Sequence, residues 1–336
     1  MSKSRIASEV DFGKEGKQHG FLRLPHSTHR SAYGWIPIPI TCIKRGSGPT
    51  VLLVSGNHGD EYEGQVALMK LTRRLEPEDV RGRIIILSAA NFPAAIAGMR
   101  TSPIDEGNLN RIFPGDPRGT VTQMIAHYIE TELLPMADLM LDLHSGGSSL
   151  MYIPSALIRN TEDPARLARL KRLLALFGAP ISFVFTLLQR EDRTLSAAAE
   201  RAGVLHLGTE LGGGGTVQPA ALRIAEQGLA RVLKEAGVLN AELTKEPPGK
   251  TRFMEVGGAD YYVYAPESGL FEPFVDLGAE VAAGEEAGAI HFPATPWRAP
   301  EIARFGRAGL VICKRMPGRS ERGDCLFHLA SDLAQA

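Results

Sequence analysis

From about residue 38 to 240 two kinds of apolar pattern alternate along the chain. Compact runs stand at "TVLLVS" (50–55), "RIIILSA" (83–89), "ADLMLDLH" (137–144), "ISFVF" (181–185) and "GVLHLGTEL" (203–211). They are β-branched or leucine-rich, and Gly or polar residues follow most of them closely, as expected of strands. Between them, "EYEGQVALMKLTRRL", "GTVTQMIAHYIETELLPM", "DPARLARLKRLLALFG" and "PAALRIAEQGLARVLKEAG" repeat apolar residues every three or four positions, as helices do. The alternation predicts an α/β layer around a largely buried sheet. Ligands of such sheets sit at the carboxyl ends of strands. His58, Asn91, His144 and Glu210 all fall at such ends. Met124, Ile125 and Tyr128 lie on a helical stripe and read as core.

The pattern changes after "LTKEPPGKT" (243–251), where short runs rich in Gly, Pro and Val replace helical periodicity. A linker is expected near 243–252, dividing an α/β domain, 1–245, from a small β domain, 253–336. Residues 1–37 precede the alternation and read as an N-terminal extension.

Composition narrows the function classes. A chain of 336 residues, 44% hydrophobic and 22% charged, is of the soluble globular kind. Its net charge of −1 gives no footprint for nucleic acid or an anionic membrane. The first residues, "MSKSRIASEVDFGKEGKQ", lack the apolar stretch of a signal peptide, and no 18-residue apolar run exists. Cys42, Cys313 and Cys325 form no CxxC pair, so a reducing cytoplasm is the expected location. An assembly of identical chains stays open.

The candidate chemistry begins at "LLVSGNHGDEYEGQ" (52–65), where His58 ends a strand and Glu61 opens a helix. A His-x-x-Glu pair alone is as often a solvated loop as a site. Here, one tight turn could aim both groups at a common point. Catalytic zinc usually takes three protein ligands, and His144 in "MLDLHSGG", again at a strand end, supplies a third. Asp142 points the same way along that strand and could orient an imidazole. In "GMRTSPIDEGNLNRIFPG" (98–115), Arg100, Asn110 and Arg111 lie in a long loop with five Gly or Pro residues. Surface arginines are common, but an arginine fork binds carboxylates and can stabilise an oxyanion. "GTELGGGG" (208–215) places Glu210 at another strand end, where a carboxylate beside metal-bound water can move its proton. Gly212 to Gly215 would let the chain pass close to a ligand. "PPGKT" lacks the first glycine of a phosphate loop, since Thr244 stands there, and "HSGGS" is not a nucleophile elbow.

With "GNHGDEYEG", "NLNRIFPG", "DLHSGG" and "TELGG" in this order, the chain resembles the succinylglutamate desuccinylase/aspartoacylase family, relatives of the zinc carboxypeptidases, over about residues 45–330. The resemblance implies a mixed central sheet flanked by helices. It implies one Zn2+ on His58, Glu61 and His144, with Glu210 as general base and acid and Arg100 as carbonyl polariser. Asn110 and Arg111 would hold the substrate carboxylate. The Arg100 to Arg111 spacing is longer than aspartoacylase itself leads one to expect. "GKQHGFLRLPHS", "TSPIDEGN" and the chain length look most like the branch that deacetylates N-acetyl-2,4-diaminobutyrate in ectoine degradation. "APESGLFEPFVDLGAEVAAGEEAGAI" (265–290) resembles a biotinyl/lipoyl hammerhead sandwich, yet no lysine occurs between Thr251 and Cys313 to carry a swinging arm. The reading is therefore a zinc amidohydrolase acting on a small N-acyl amino acid. A peptide-cleaving metallocarboxypeptidase and a non-catalytic small-molecule-binding protein are the alternatives.

Overall fold

The structure, a computed structural model, describes residues 3–186 and 191–333. Strands β1 (Ala7–Ser8), β2 (Gly16–Pro25) and β3 (Trp35–Arg45) open the chain as an antiparallel set. The α/β part follows with β4 (Thr50–Ser55), α1 (Tyr62–Arg74), β5 (Gly82–Leu87), α2 (Phe92–Ala97), α3 (Val121–Tyr128) and β6 (Leu139–His144). It continues through β7 (Leu150–Tyr152), β8 (Ser155–Arg159), α4 (Pro164–Phe177), β9 (Ile181–Phe185), α5 (Leu195–Arg201), β10 (Leu205–Glu210) and α6 (Pro219–Glu235). The remaining strands are β11 (Arg252–Val256), β12 (Tyr262–Tyr264), β13 (Gly269–Pro273), β14 (Glu280–Val281) and β15 (Glu286–His291). After them come β16 (Glu301–Arg304), β17 (Gly309–Arg315), β18 (Arg319–Ser320) and β19 (Cys325–Asp332).

The main sheet runs β1-β2-β3-β5-β4-β6-β10-β8-β9-β11-β19-β17-β14, and β16-β15-β13-β18 form a second, antiparallel sheet. This is the expected mixed α/β sheet with a smaller C-terminal β part. Strands β5, β4, β6 and β10 are mutually parallel, so their carboxyl ends share one edge. Period-two alternation builds both layers. Val51, Leu53, Ile84, Ile86, Leu141 and Leu143 pack with α1, α4 and α6, whereas Leu52, Val54, Ile85, Leu87 and Met140 pack with α3 and α5. Asp142 and His144 alternate onto the α3/α5 face with Met140, and His206, Gly208 and Glu210 do the same on β10.

Several elements differ from the sequence pattern. The pattern did not show that the extension, residues 1–37, carries β1, β2 and the start of β3, with β2 and β3 paired along their length. Pro37 and Pro39, which argue against a central strand, lie where β3 pairs only with β2; its pairing to β5 starts at Thr41. The helix expected over 119–136 is α-helical only to Tyr128, then turns wider over Ile129–Leu133 and tighter over Leu134–Met136 around Pro135. Of the expected linker, 243–252, residues 243–251 carry no helix or strand, and Arg252 opens β11. No helix among the described residues is long and apolar enough to cross a membrane.

Candidate metal and active site

The turn after β4 sets the first two groups. Glu61 is the residue before α1 and keeps extended backbone, so its side chain faces back over the strand ends. The turn can close only because residue 59 has no side chain: a Cβ on Gly59 would lie 2.0 Å from the Ala94 carbonyl of α2. His58 and Glu61 are thereby buried together, with His58 Nδ1 2.6 Å from Glu61 Oε1. His144, closing β6, reaches the other carboxylate oxygen, Nδ1 to Oε2 at 2.7 Å. One potential ligand atom from each of the three residues lies within 4.8 Å of the others.

The far side of each imidazole decides what these atoms can do. His58 Nε2 lies 3.0 Å from Asn108 Oδ1, and His144 Nε2 lies 2.9 Å from Asp142 Oδ2. Both outer partners can accept, so a proton on each Nε2 would leave each Nδ1 with a lone pair for a cation beside Glu61. That is the tautomer a metal ligand needs, and outer acceptors on histidine are the usual arrangement around bound zinc. Asp142 is itself fixed by Asn57, whose Nδ2 donates to Oδ1 at 2.7 Å. The residues present therefore fit a divalent cation, which His58, Glu61 and His144 would hold.

The three groups also set one another's charge. Burial opposes charge on Glu61, but the two imidazoles hold its carboxyl below the ordinary range. Burial lowers His58 despite the Glu61 charge. For His144 burial acts downward too, yet the Asp142 and Glu61 carboxylates outweigh it and raise the imidazole. Glu210 stands beside His144 in register on the neighbouring strand. Burial, and then the charge of Glu61, push its carboxyl well above the usual value, and its Oε2 has no hydrogen-bond partner among the described residues.

Arg100 Nη1 is 3.4 Å from Glu61 Oε1 and 3.3 Å from His58 Nδ1, so the long loop does bring it to the cluster. Asn110 Nδ2 is 3.3 Å from His144 Nε2, and its Oδ1 accepts from the Leu195 amide at 2.8 Å. Arg111 Nη1 donates to the Asn110 carbonyl at 2.7 Å. His58, Glu61, Arg100, Asn110, Arg111, Asp142, His144 and Glu210 all line one cavity of about 490 Å³. Asn91 does not reach it: buried at the start of α2, its Nδ2 donates to the Gly107 carbonyl at 3.4 Å. The glycine run after Glu210 packs against the loop that follows β6. Gly214 donates to the Leu150 carbonyl at 2.9 Å and Gly215 to the Gly147 carbonyl at 2.8 Å, locking two loops together.

Sequence reasoning missed Asn108, which sits in the quoted loop two residues before Asn110. It also missed the other wall of the cavity, formed by Tyr152, Leu157, Phe185, Tyr262, Tyr264 and His328. These come from β7, β8, β9, β12 and β19, and no local spacing links them.

Residues 47–236 match the succinylglutamate desuccinylase/aspartoacylase catalytic domain. The chain is 43% identical over 327 residues to an N-α-acetyl-L-2,4-diaminobutyric acid deacetylase from Halomonas elongata, covering 97% of this chain and 95% of that one. Among solved structures it is similar to a succinylglutamate desuccinylase/aspartoacylase from Rhodobacter sphaeroides, with 45% identity and a TM-score of 0.92 over 99% of this chain and 100% of that one. The product-bound ectoine utilization protein EutE (DoeB) of Ruegeria pomeroyi gives 43% identity and a TM-score of 0.92, covering 98% and 100%.

Proposed function

Since the chain belongs to the succinylglutamate desuccinylase/aspartoacylase family, we propose that it is a zinc-dependent amidohydrolase that removes an acetyl group from a small amino acid such as N-acetyl-2,4-diaminobutyrate. The convergence of both Nδ1 atoms on Glu61, with acceptors behind both imidazoles, carries the reading. The name of the Halomonas relative supports the acetyl group and the amine. When bound, zinc supplies a water whose pKa falls toward about 7 and a Lewis acid for the acyl carbonyl.

The chain's own residues do the rest. Glu210, beside His144 at the cavity wall, takes a proton from the attacking water and delivers it to the departing amine. Arg100, already beside Glu61, offers its guanidinium to charge developing on the carbonyl oxygen. Asn110 and Arg111 hold the α-carboxylate, with the Leu195 amide fixing the Asn110 amide so that its NH2 faces the cavity. Residues 1–245 thus contribute the chemistry, and residues 253–336 contribute part of the cavity wall. Elemental analysis together with acetate release from a panel of N-acetyl amino acids tests the proposal. The expected result is one zinc per chain and fastest release from N-acetyl-2,4-diaminobutyrate. A dipeptide cleaved faster than any N-acetyl amino acid would make the protein a carboxypeptidase instead.

A further inference from the structure

Among the described residues, Glu106 is the only one other than glycine with a positive φ, +55°. Residues with a side chain rarely adopt that conformation, and it persists where the surroundings hold it. Glu106 is exposed, so its two neighbours must do the holding. Both are clasped to the first turn of α3. Asp105 Oδ2 accepts from the Thr122 amide at 2.7 Å, and Oδ1 accepts from the Thr122 hydroxyl at 2.8 Å and the Gly107 amide at 3.3 Å. Gly107 lies against the same threonine, and a Cβ there would run into Thr122 Oγ1. Its carbonyl accepts from the Ser102 amide at 3.0 Å and from Asn91 Nδ2 at 3.4 Å. Burial works against charge on Asp105, yet the Thr122 amide and the hydroxyls of Thr120, Ser102 and Thr122 hold its carboxyl below the usual range.

None of Asp105, Glu106, Gly107 and Thr122 lines the cavity. The clasp instead fixes where the next residue begins. Asn108 follows Gly107 directly, and Leu109 beyond it is buried in the core. Held on both sides, Asn108 keeps its Oδ1 3.0 Å from His58 Nε2.

We propose that Asp105 and Thr122 are positioning residues for the metal: they clasp the loop to α3 so that Asn108 meets the far side of the His58 imidazole and leaves Nδ1 for the cation. This inference rests on the metal reading above and adds to it the device that presents Asn108. The neighbouring Asn110 is held separately, its Oδ1 accepting from the Leu195 amide at 2.8 Å. Loosening the clasp should therefore weaken the metal site and leave carboxylate recognition in place.

The test compares Thr122→Val, which keeps the branched shape and loses the hydroxyl, with Thr122→Ser, which keeps the hydroxyl. Zinc affinity is read by competition with a chromogenic chelator on the whole protein. Loss of a partner behind a metal ligand typically costs about 10–100-fold, so Thr122→Val should weaken zinc binding by about tenfold and Thr122→Ser by less than about threefold. In an Asn108→Ala background, Thr122→Val should cost less than about threefold more, because the clasp then has no side chain to present. With zinc saturating, Thr122→Val should keep its preference for an N-acetyl amino acid over the carboxamide to within about threefold of wild type. Asp105→Asn, at a half-buried position, should also weaken zinc binding, and it carries the comparison if Thr122→Val does not fold. Zinc affinity within about threefold of wild type in both Thr122→Val and Asp105→Asn overturns the inference and leaves the metal reading standing. So does a loss that Thr122→Ser shares, or one that Asn108→Ala does not absorb. Loss of the acid preference together with zinc affinity would make the clasp a general brace of the loop and overturn the inference as well. Wild-type protein that binds no zinc overturns the metal reading and this inference together.

Discussion

At the scale of single residues, the proposed roles divide between His58, Glu61 and His144, which could hold a metal, and Glu210, which would move protons. Glu210→Gln keeps shape and burial but cannot accept a proton. It should retain zinc and lose about 10²–10⁴-fold in kcat, and a variant within a few-fold of wild type would remove Glu210 from the mechanism. Asn108 touches no reacting atom. Its Oδ1 lies 3.0 Å from His58 Nε2 and would accept a proton there, so Asn108→Ala should weaken zinc binding by about 10–100-fold, read by competition with a chromogenic chelator. Unchanged affinity would mean that the turn alone orients His58. Arg111 and Arg100 should separate in kinetics. Arg111→Ala should lose much of the preference for an N-acetyl amino acid over its carboxamide. Arg100→Ala should keep that preference while kcat falls about 10²–10³-fold. An Arg111 variant that still discriminates acid from amide would place the carboxylate elsewhere.

At the scale of elements, the precision of the site comes from where strands stop. Glu210 and His144 are register partners on adjacent parallel strands, and β4 ends one pair earlier, leaving the turn that carries His58 and Glu61. Gly59→Ala should break that turn, because its Cβ would enter the Ala94 carbonyl. The expected cost is about 1–3 kcal/mol or more in stability, accompanied by loss of zinc, measured by thermal melting and metal content. A variant with wild-type melting and full zinc would show that α2 yields. The strand ends were legible in the sequence because β4, β5, β6, β9 and β10 are compact buried runs, each stopped by Gly or polar residues. His58, Glu61, His144 and Glu210 could be found because each sits at such a stop. The β2–β3 pair was hidden by its prolines and by polar residues on its open face, and three-residue β7 is too short to show a period. The aromatic wall was illegible for a different reason. Tyr152 and His328 are 176 positions apart, and only the pairing of β7 with β17 and of β17 with β19 brings them together.

At the scale of the whole molecule, burial of neutral histidines ties stability to pH. His206 and His328 are pushed down to about 4 and about 3 by burial, whereas the unfolded chain binds their protons near 6.5. The unfolded state therefore takes up more protons as pH falls below 6.5, and stability drops by about 1.4 kcal/mol per pH unit for each histidine until its folded value is reached. Acid denaturation with a chelator present throughout should show this slope between pH 6 and 4. His328→Phe should flatten it by about one histidine's share, and an unchanged slope would show that another group dominates. The continuity of the main sheet has a consequence for modularity. Strand β11 joins β9 by five register pairs and β7 joins β17 by three, so the two parts of the chain share one hydrogen-bonded ribbon. The C-terminal part is then not a detachable appendage that recombination could exchange between relatives. A foreign replacement would have to match the backbone ladder at β9 and β7, and a chain ending before residue 252 would leave the β9 edge as a template for aggregation. The lining of the cavity is therefore altered more readily by side-chain substitution on a fixed ribbon than by exchange of the whole C-terminal part.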